Sequence, residues 1–146
     1  MKERDWKALS PHQLGRYSEY YAKMEFAAFG CDVYTSEVDD HGIDFVVKHK
    51  GKFYEIQVKS VRNLNYIFIK AEKMPPVENG LVCCLLYGDS REPDVYIIPA
   101  EVWKSGVAPF VCHVDYKTPE YGINLSKKNL PMLEQYRAEV FFENWN

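Results

Sequence analysis

Two stretches in the first half of the chain alternate side-chain character with a period of two. In the first, Ile43, Phe45 and Val47 interleave with Asp44, Val46 and Lys48; in the second, Tyr54, Ile56 and Val58 interleave with Glu55, Gln57 and Lys59. Such a period marks strands with one buried face. The basic segment Lys48-His49-Lys50-Gly51-Lys52 separates them, so the pair predicts a hairpin turning over Lys50-Gly51. Residues whose numbers sum to 101 then face each other, which sets Asp44 across from Gln57. One face of the ribbon holds Ile43, Phe45, Val47, Tyr54, Ile56 and Val58 and reads as core. The other gathers Asp44, Val46, Glu55, Gln57 and Lys59, a concentration of carboxylate, carboxamide and ammonium that outlines a metal-dependent site.

Ahead of the hairpin, Ser10-Pro11 signals a helix start and Gly30 a stop, so a helix is expected to about Phe29. Two stripes of it look buried: Leu14, Tyr17, Tyr21, Met24 and Ala28 on one side, and the smaller Gly15, Ser18, Ala22 and Phe26 on another. A helix apolar on two sides is sandwiched between neighbours. Glu19, at the edge of the small stripe, then looks over the sheet towards Asp44. Strands are expected at about 32–36, 42–48, 53–60, 66–71 and 94–99, with the continuous apolar run Leu81–Tyr87 as a central strand. A short helix follows at 100–105, a short strand at 110–114, an irregular polar loop at 118–128 and an amphipathic helix at 131–144. This order is α+β with a mixed sheet.

Composition narrows the picture. A chain of 146 residues is expected to form a single domain, residues 1–146, with a real core. Eighteen basic and twenty-one acidic residues give a net charge of −3, which argues against a general nucleic-acid coating protein. A local positive patch around a site is still compatible with it. The cysteines Cys31, Cys83, Cys84 and Cys112 lack CxxC spacing and read as reduced, buried thiols. The charged N-terminus is unlike a signal peptide and no apolar run is long enough to span a bilayer, so a cytoplasmic protein is expected.

Gly42-Ile43-Asp44 followed by Gln57-Val58-Lys59 resembles the PD-(D/E)xK nuclease superfamily, in the branch with glutamine in place of the second acid. Gly15-Arg16-Tyr17-Ser18-Glu19 and Gly30-Cys31-Asp32-Val33-Tyr34 resemble that superfamily's first helix, with its glutamate, and first strand. The likeness covers roughly residues 11–60. Ile43 stands where the name-giving proline would be, and Gln57 removes one negative charge from the site. The resemblance implies a restriction-endonuclease-like αβββ core, a central mixed sheet flanked by helices, and metal-dependent endonuclease activity on DNA. It further implies Glu19 as the additional acid and the Val58 main-chain carbonyl as a ligand. Glu55 is the positional alternative to Glu19, on the same strand face but diagonal to Asp44.

Phosphodiester hydrolysis needs a nucleophilic water, stabilisation of charge on the phosphoryl oxygens and an exit for the leaving oxygen. Mg²⁺ or Mn²⁺ held by oxygen ligands serves all three. Asp44 is the first candidate ligand and Gln57 offers a neutral carbonyl oxygen. Lys59 is placed to stabilise transition-state charge, because general-base duty would also require desolvation. Taken singly, Asp44 and Lys59 are also what an ordinary cross-strand ion pair would show. Lys48, Lys50, Lys52 and Arg62 form either a phosphate-facing rim or simply solvated hairpin charges. His41, beside the acidic loop Glu37-Val38-Asp39-Asp40, is either a phosphate contact or an exposed loop histidine. Cutting both strands of a duplex favours a homodimer or higher homo-oligomer. The rival reading keeps the fold but makes the protein a catalytically weak or inactive module for nucleic-acid binding or protein assembly.

Overall fold

The computed structural model describes residues 4–35, 42–89 and 91–146. The first helix, α1 (Pro11–Phe29), begins with a reciprocal cap. The Ser10 hydroxyl accepts the Gln13 N–H at 3.1 Å and the Gln13 side-chain Oε1 accepts the Ser10 N–H at 2.8 Å. Gly30, at φ 107°, ends the helix in the left-handed conformation that a residue without Cβ adopts at no steric cost. Only one stripe is buried, Leu14, Ser18, Ala22 and Phe26. The expected second buried stripe is corrected: Met24 is 58% exposed and Ala28 is exposed, while Tyr17 and Tyr21 are half-buried. Tyr17 turns instead towards Trp6 of the N-terminal segment, with ring centroids 5.1 Å apart.

Small Ser18 and Ala22 let α1 lie close on a five-stranded sheet of order β1-β2-β3-β5-β6. Its strands are β1 (Asp32–Thr35), β2 (Phe45–His49), β3 (Lys52–Arg62), β5 (Gly80–Tyr87) and β6 (Asp94–Pro99). All neighbours are antiparallel except β3 and β5, which run parallel. The hairpin register is the expected one, with Phe45 opposite Ile56, Val47 opposite Tyr54 and His49 opposite Lys52. Lys50 and Gly51 have φ of 51° and 81°, the two positive values of a tight hairpin turn whose twist matches its strands. Under α1 the sheet presents Phe45, Val47, Ile56, Val58, Leu81, Cys83, Leu85 and Ile97.

The opposite face is covered only in part. A second sheet, β4 (Tyr66–Lys70), β8 (Glu120–Asn124) and β7 (Phe110–His113) in the order β4-β8-β7, packs there with the short helix α2 (Ala100–Trp103). Ile67, Ile69, Ile123, Phe110 and Trp103 meet Val82, Cys84, Leu86, Tyr96 and Ile98. β5 is therefore buried on both faces, which is why it reads as an unbroken apolar run.

Two segments depart from expectation. Residues 118–128 are not an irregular loop, since β8 lies within them as the middle strand of the second sheet. Gly122 disguises the alternation: the Tyr66 ring occupies the space where its Cβ would stand. The single helix expected at 131–144 is instead a 3-10 turn, Leu130–Tyr136, followed by α3 (Ala138–Asn144). Arg137 interrupts it by extending to bridge Tyr96. There its guanidinium reaches Glu134 at 2.7 Å and Asp94 at 3.4 Å. All four cysteines are free. No helix among the described residues is long and apolar enough to cross a membrane.

Candidate active site

β3 has eleven residues and β2 only five, so β3 outruns its hairpin partner. Lys52–Ile56 pair with β2, whereas Gln57–Arg62 pair with a described strand only on the β5 side. Asp44 sits at this fork. Its N–H donates to the Ile56 carbonyl at 2.8 Å, and its carboxylate accepts the Val58 N–H at 2.6 Å. The side chain thus fills the place that a continuing β2 would have taken. The expectation that Asp44 lies directly opposite Gln57 is corrected by one residue, because the ladder slips just ahead of Phe45.

Just upstream of the slip the chain meets a segment outside the hairpin. Gly42 has φ 76°, and a Cβ added there would stand 2.6 Å from the carbonyl oxygen of Lys73. Lys73 ends the 3-10 turn Ala71–Lys73 that follows β4. This turn braces the chain two residues before Asp44 and aims it into the fork. Gly42 is conspicuous in the sequence, but its partner thirty-one positions away is not, so Lys73 escapes sequence reasoning. Gly42→Ala should lower stability by about 2 kcal/mol through left-handed strain and the backbone clash together. Chemical denaturation checks this, and an unchanged midpoint would contradict the brace.

Amide N–H and C=O of one strand residue point to the same side, so the Val58 carbonyl faces the fork alongside Asp44. It accepts Gln57 Nε2 at a long 3.4 Å. Gln57 is only 9% exposed, and its Oε1 is buried with no hydrogen-bond partner among the described residues. A buried, unsatisfied carbonyl oxygen costs about 1–3 kcal/mol, and such groups call for an explanation. The residues at the fork carry three hard oxygen donors, the Asp44 carboxylate, the Gln57 amide oxygen and the Val58 carbonyl, although the Gln57 amide turns its Nε2 to the Val58 carbonyl. This set fits Mg²⁺ or Mn²⁺, which need few protein ligands and complete their shells with water and phosphate. It is not a carboxylate cage. Among the described residues no three His, Cys, Asp or Glu come together as a metal-holding group, Glu19, Asp44 and Glu55 included.

Lys59 lies one pleat beyond Gln57, half-buried, directly across from Cys84 on β5. Burial pushes the Cys84 thiol up to about 12, against a smaller opposing pull from the nearby Lys59 ammonium. Val58 is in the core under α1 and Val61 packs against the other cluster, so alternation puts Gln57 and Lys59 on one face, as expected. β3 is the middle strand of five, so these side chains stand where its second half pairs with a described strand on the β5 side alone.

Glu19 occupies the α1 flank that faces the start of β2. Lys23, one turn along the same flank, donates to Thr35 Oγ1 at 3.3 Å and lies 5.8 Å from the Phe45 ring. The Glu19 carboxylate pairs with Arg16 at 3.3 Å, an exposed bond of small energetic weight. Glu55 shares the strand face, opposite Val46 and Gly80. Arg62 does not belong to a phosphate rim: its guanidinium donates to the Lys7 and Leu9 carbonyls, at 3.3 and 2.5 Å, and clasps the N-terminal segment to the end of β3. The loop 37–41, His41 included, lies outside the described residues.

No family model matches the chain, and no curated protein matches it in sequence. Solved structures do. The Holliday junction resolvase Hjc of the archaeal hyperthermophile Archaeoglobus fulgidus aligns with TM-score 0.52 and 12% identity, over 82% of this chain and 88% of its own. The bacterial homing endonuclease I-Ssp6803I aligns with TM-score 0.55 and 18% identity, over 89% of this chain and 88% of its own. The fold is that of the restriction-endonuclease-like nucleases, an α+β architecture with a central mixed sheet flanked by helices.

Proposed function

We propose that the chain is a Mg²⁺- or Mn²⁺-dependent endonuclease that hydrolyses DNA phosphodiester bonds at the β2–β3 fork. The observation that carries this reading is the Asp44 carboxylate fixed on the Val58 N–H where β2 ends, together with a Gln57 Oε1 that is buried without a hydrogen-bond partner among the described residues and Lys59 on the Gln57 face of β3. The shared fold of a junction resolvase and a homing endonuclease supports DNA as the substrate.

In this reading Asp44, Gln57 and Val58 hold the ion, and Glu19, released from Arg16, adds a second acid from α1. The bound ion supplies Lewis acidity to a phosphoryl oxygen and a more acidic water. Asp44, already fixed by the Val58 N–H, keeps one carboxylate geometry without reorganising. Lys59 stabilises the negative charge that develops on the phosphoryl oxygens and orients the attacking water. A symmetric dimer presents two such forks to the two strands of a duplex. Incubation of the purified protein with duplex, single-stranded and branched DNA tests the reading. Cleavage with Mg²⁺ or Mn²⁺ that stops on chelation is expected.

One observation favours the rival. The Asp44–Val58 bond is also what a strand-end cap would make, and Gln57 contributes a dipole where an acid would contribute charge. In that case the fold serves as an inactive binding or assembly module. Gln57→Glu separates the two. In a metal site it should tighten Mn²⁺ by about tenfold, since a full charge replaces a dipole, while a buried carboxylate lowers the stability of the metal-free protein. Calorimetric titration together with thermal unfolding reads both effects. Lost stability with no gain in Mn²⁺ affinity would point to the module.

A further inference from the structure

α1 closes one face of the five-stranded sheet, and the second sheet closes the far half of the other. The remaining quadrant, formed by β1, β2 and the first half of β3, is the approach to the fork. Register pairs Tyr34 with Val46, Lys48 with Phe53 and Val46 with Glu55, so all of these side chains stand on that quadrant, on the face of Gln57 and Lys59. Tyr34 and Phe53 are 47% and 52% exposed, and their ring centroids are 6.0 Å apart. Lys48 Nζ lies 5.5 Å from the Phe53 ring. The hairpin end, from Lys48 to Lys52, carries Lys48, Lys50 and Lys52 with no acid, in a chain of net charge −3. Among the described residues, the acids on the strands of this quadrant are Asp32, opposite Lys48, and Glu55.

We infer that this quadrant is a stacking platform for unpaired nucleotides, and that the preferred DNA has a single-stranded segment beside the scissile bond. The inference rests on the nuclease reading and adds the class of substrate to it. Two large aromatic side chains held half-exposed on a rigid sheet offer ring faces. A paired duplex hides the faces of its bases inside the stack, whereas an unpaired strand presents them. The lysine beside Phe53 and the basic turn supply the phosphate attraction that accompanies stacking. Gln57 lies four positions beyond Phe53 along β3, about 13 Å. A strand stacked on the rings therefore passes its backbone over the fork a few nucleotides away.

Fluorescence anisotropy with end-labelled DNA in the absence of divalent ions tests this, using a single strand, a flapped duplex and a blunt duplex. Phe53→Ala and Tyr34→Ala should each weaken the single strand and the flap by roughly tenfold, and leave the blunt duplex within about twofold. Phe53→Trp should restore binding, with indole fluorescence quenched by the single strand. Equal losses on all three DNAs, or no loss on any, overturn the platform and leave the nuclease reading standing. Wild type that binds none of the three overturns both.

Discussion

Lys59→Ala should reduce Mg²⁺-dependent cleavage by about a thousandfold, the scale seen when one preorganised charge-stabilising donor is removed. Fold and metal binding should be nearly untouched. An ammonium is no ligand for a hard cation, and Lys59 is half-buried rather than locked in the core. The expected signature is therefore a fall in the single-turnover rate with an unchanged Mn²⁺ isotherm and an unchanged melting temperature. Lys23 lies 5.8 Å from the Phe45 ring on the α1 side, and the Lys73 backbone abuts Gly42, two residues before Asp44. A variant that cut at the wild-type rate would remove Lys59 from the mechanism and turn attention to those two.

Asp44→Ala should fail differently. It removes the charged donor of the site, so divalent-ion binding and cleavage should disappear together. It also leaves the Val58 N–H without its 2.6 Å acceptor, which should cost about 1–3 kcal/mol of stability. Asp44→Asn separates these effects, because the amide oxygen still accepts the Val58 N–H while the charge is gone. Melting near the wild-type temperature with no Mn²⁺ binding is expected of Asp44→Asn, and a lowered melting temperature only of Asp44→Ala. If both variants melted alike, the carboxylate would have no part in closing the fork.

The hairpin was legible because two independent alternations agree. Phe45, Val47, Ile56 and Val58 can all be buried only in the register that places Gln57 and Lys59 on the other face. Lys50-Gly51 supplied the turn. The slip at Asp44 was not legible, since the segment that meets Gly42 just ahead of it, at Lys73, lies thirty-one positions along the chain. Nor was the single buried stripe of α1, because tyrosines at helical spacing look the same whether they pack under a second layer or against Trp6. Arg62 shows how charge misleads: a surface arginine on the hairpin serves two main-chain carbonyls instead of phosphate. β8 was hidden by Gly122, where the missing side chain belongs to a partner's ring rather than to a loop.

The Asp44 carboxylate at the fork and the unsatisfied Gln57 oxygen carry the metal reading, and a titration of Mn²⁺ into the folded protein examines it directly. Calorimetry of wild type and Asp44→Asn at matched concentrations should show one ion bound per chain in the wild type and none in the variant. A folded wild type that takes up no Mn²⁺, or a variant that binds it as tightly, would contradict a metal-dependent site at the β2–β3 fork.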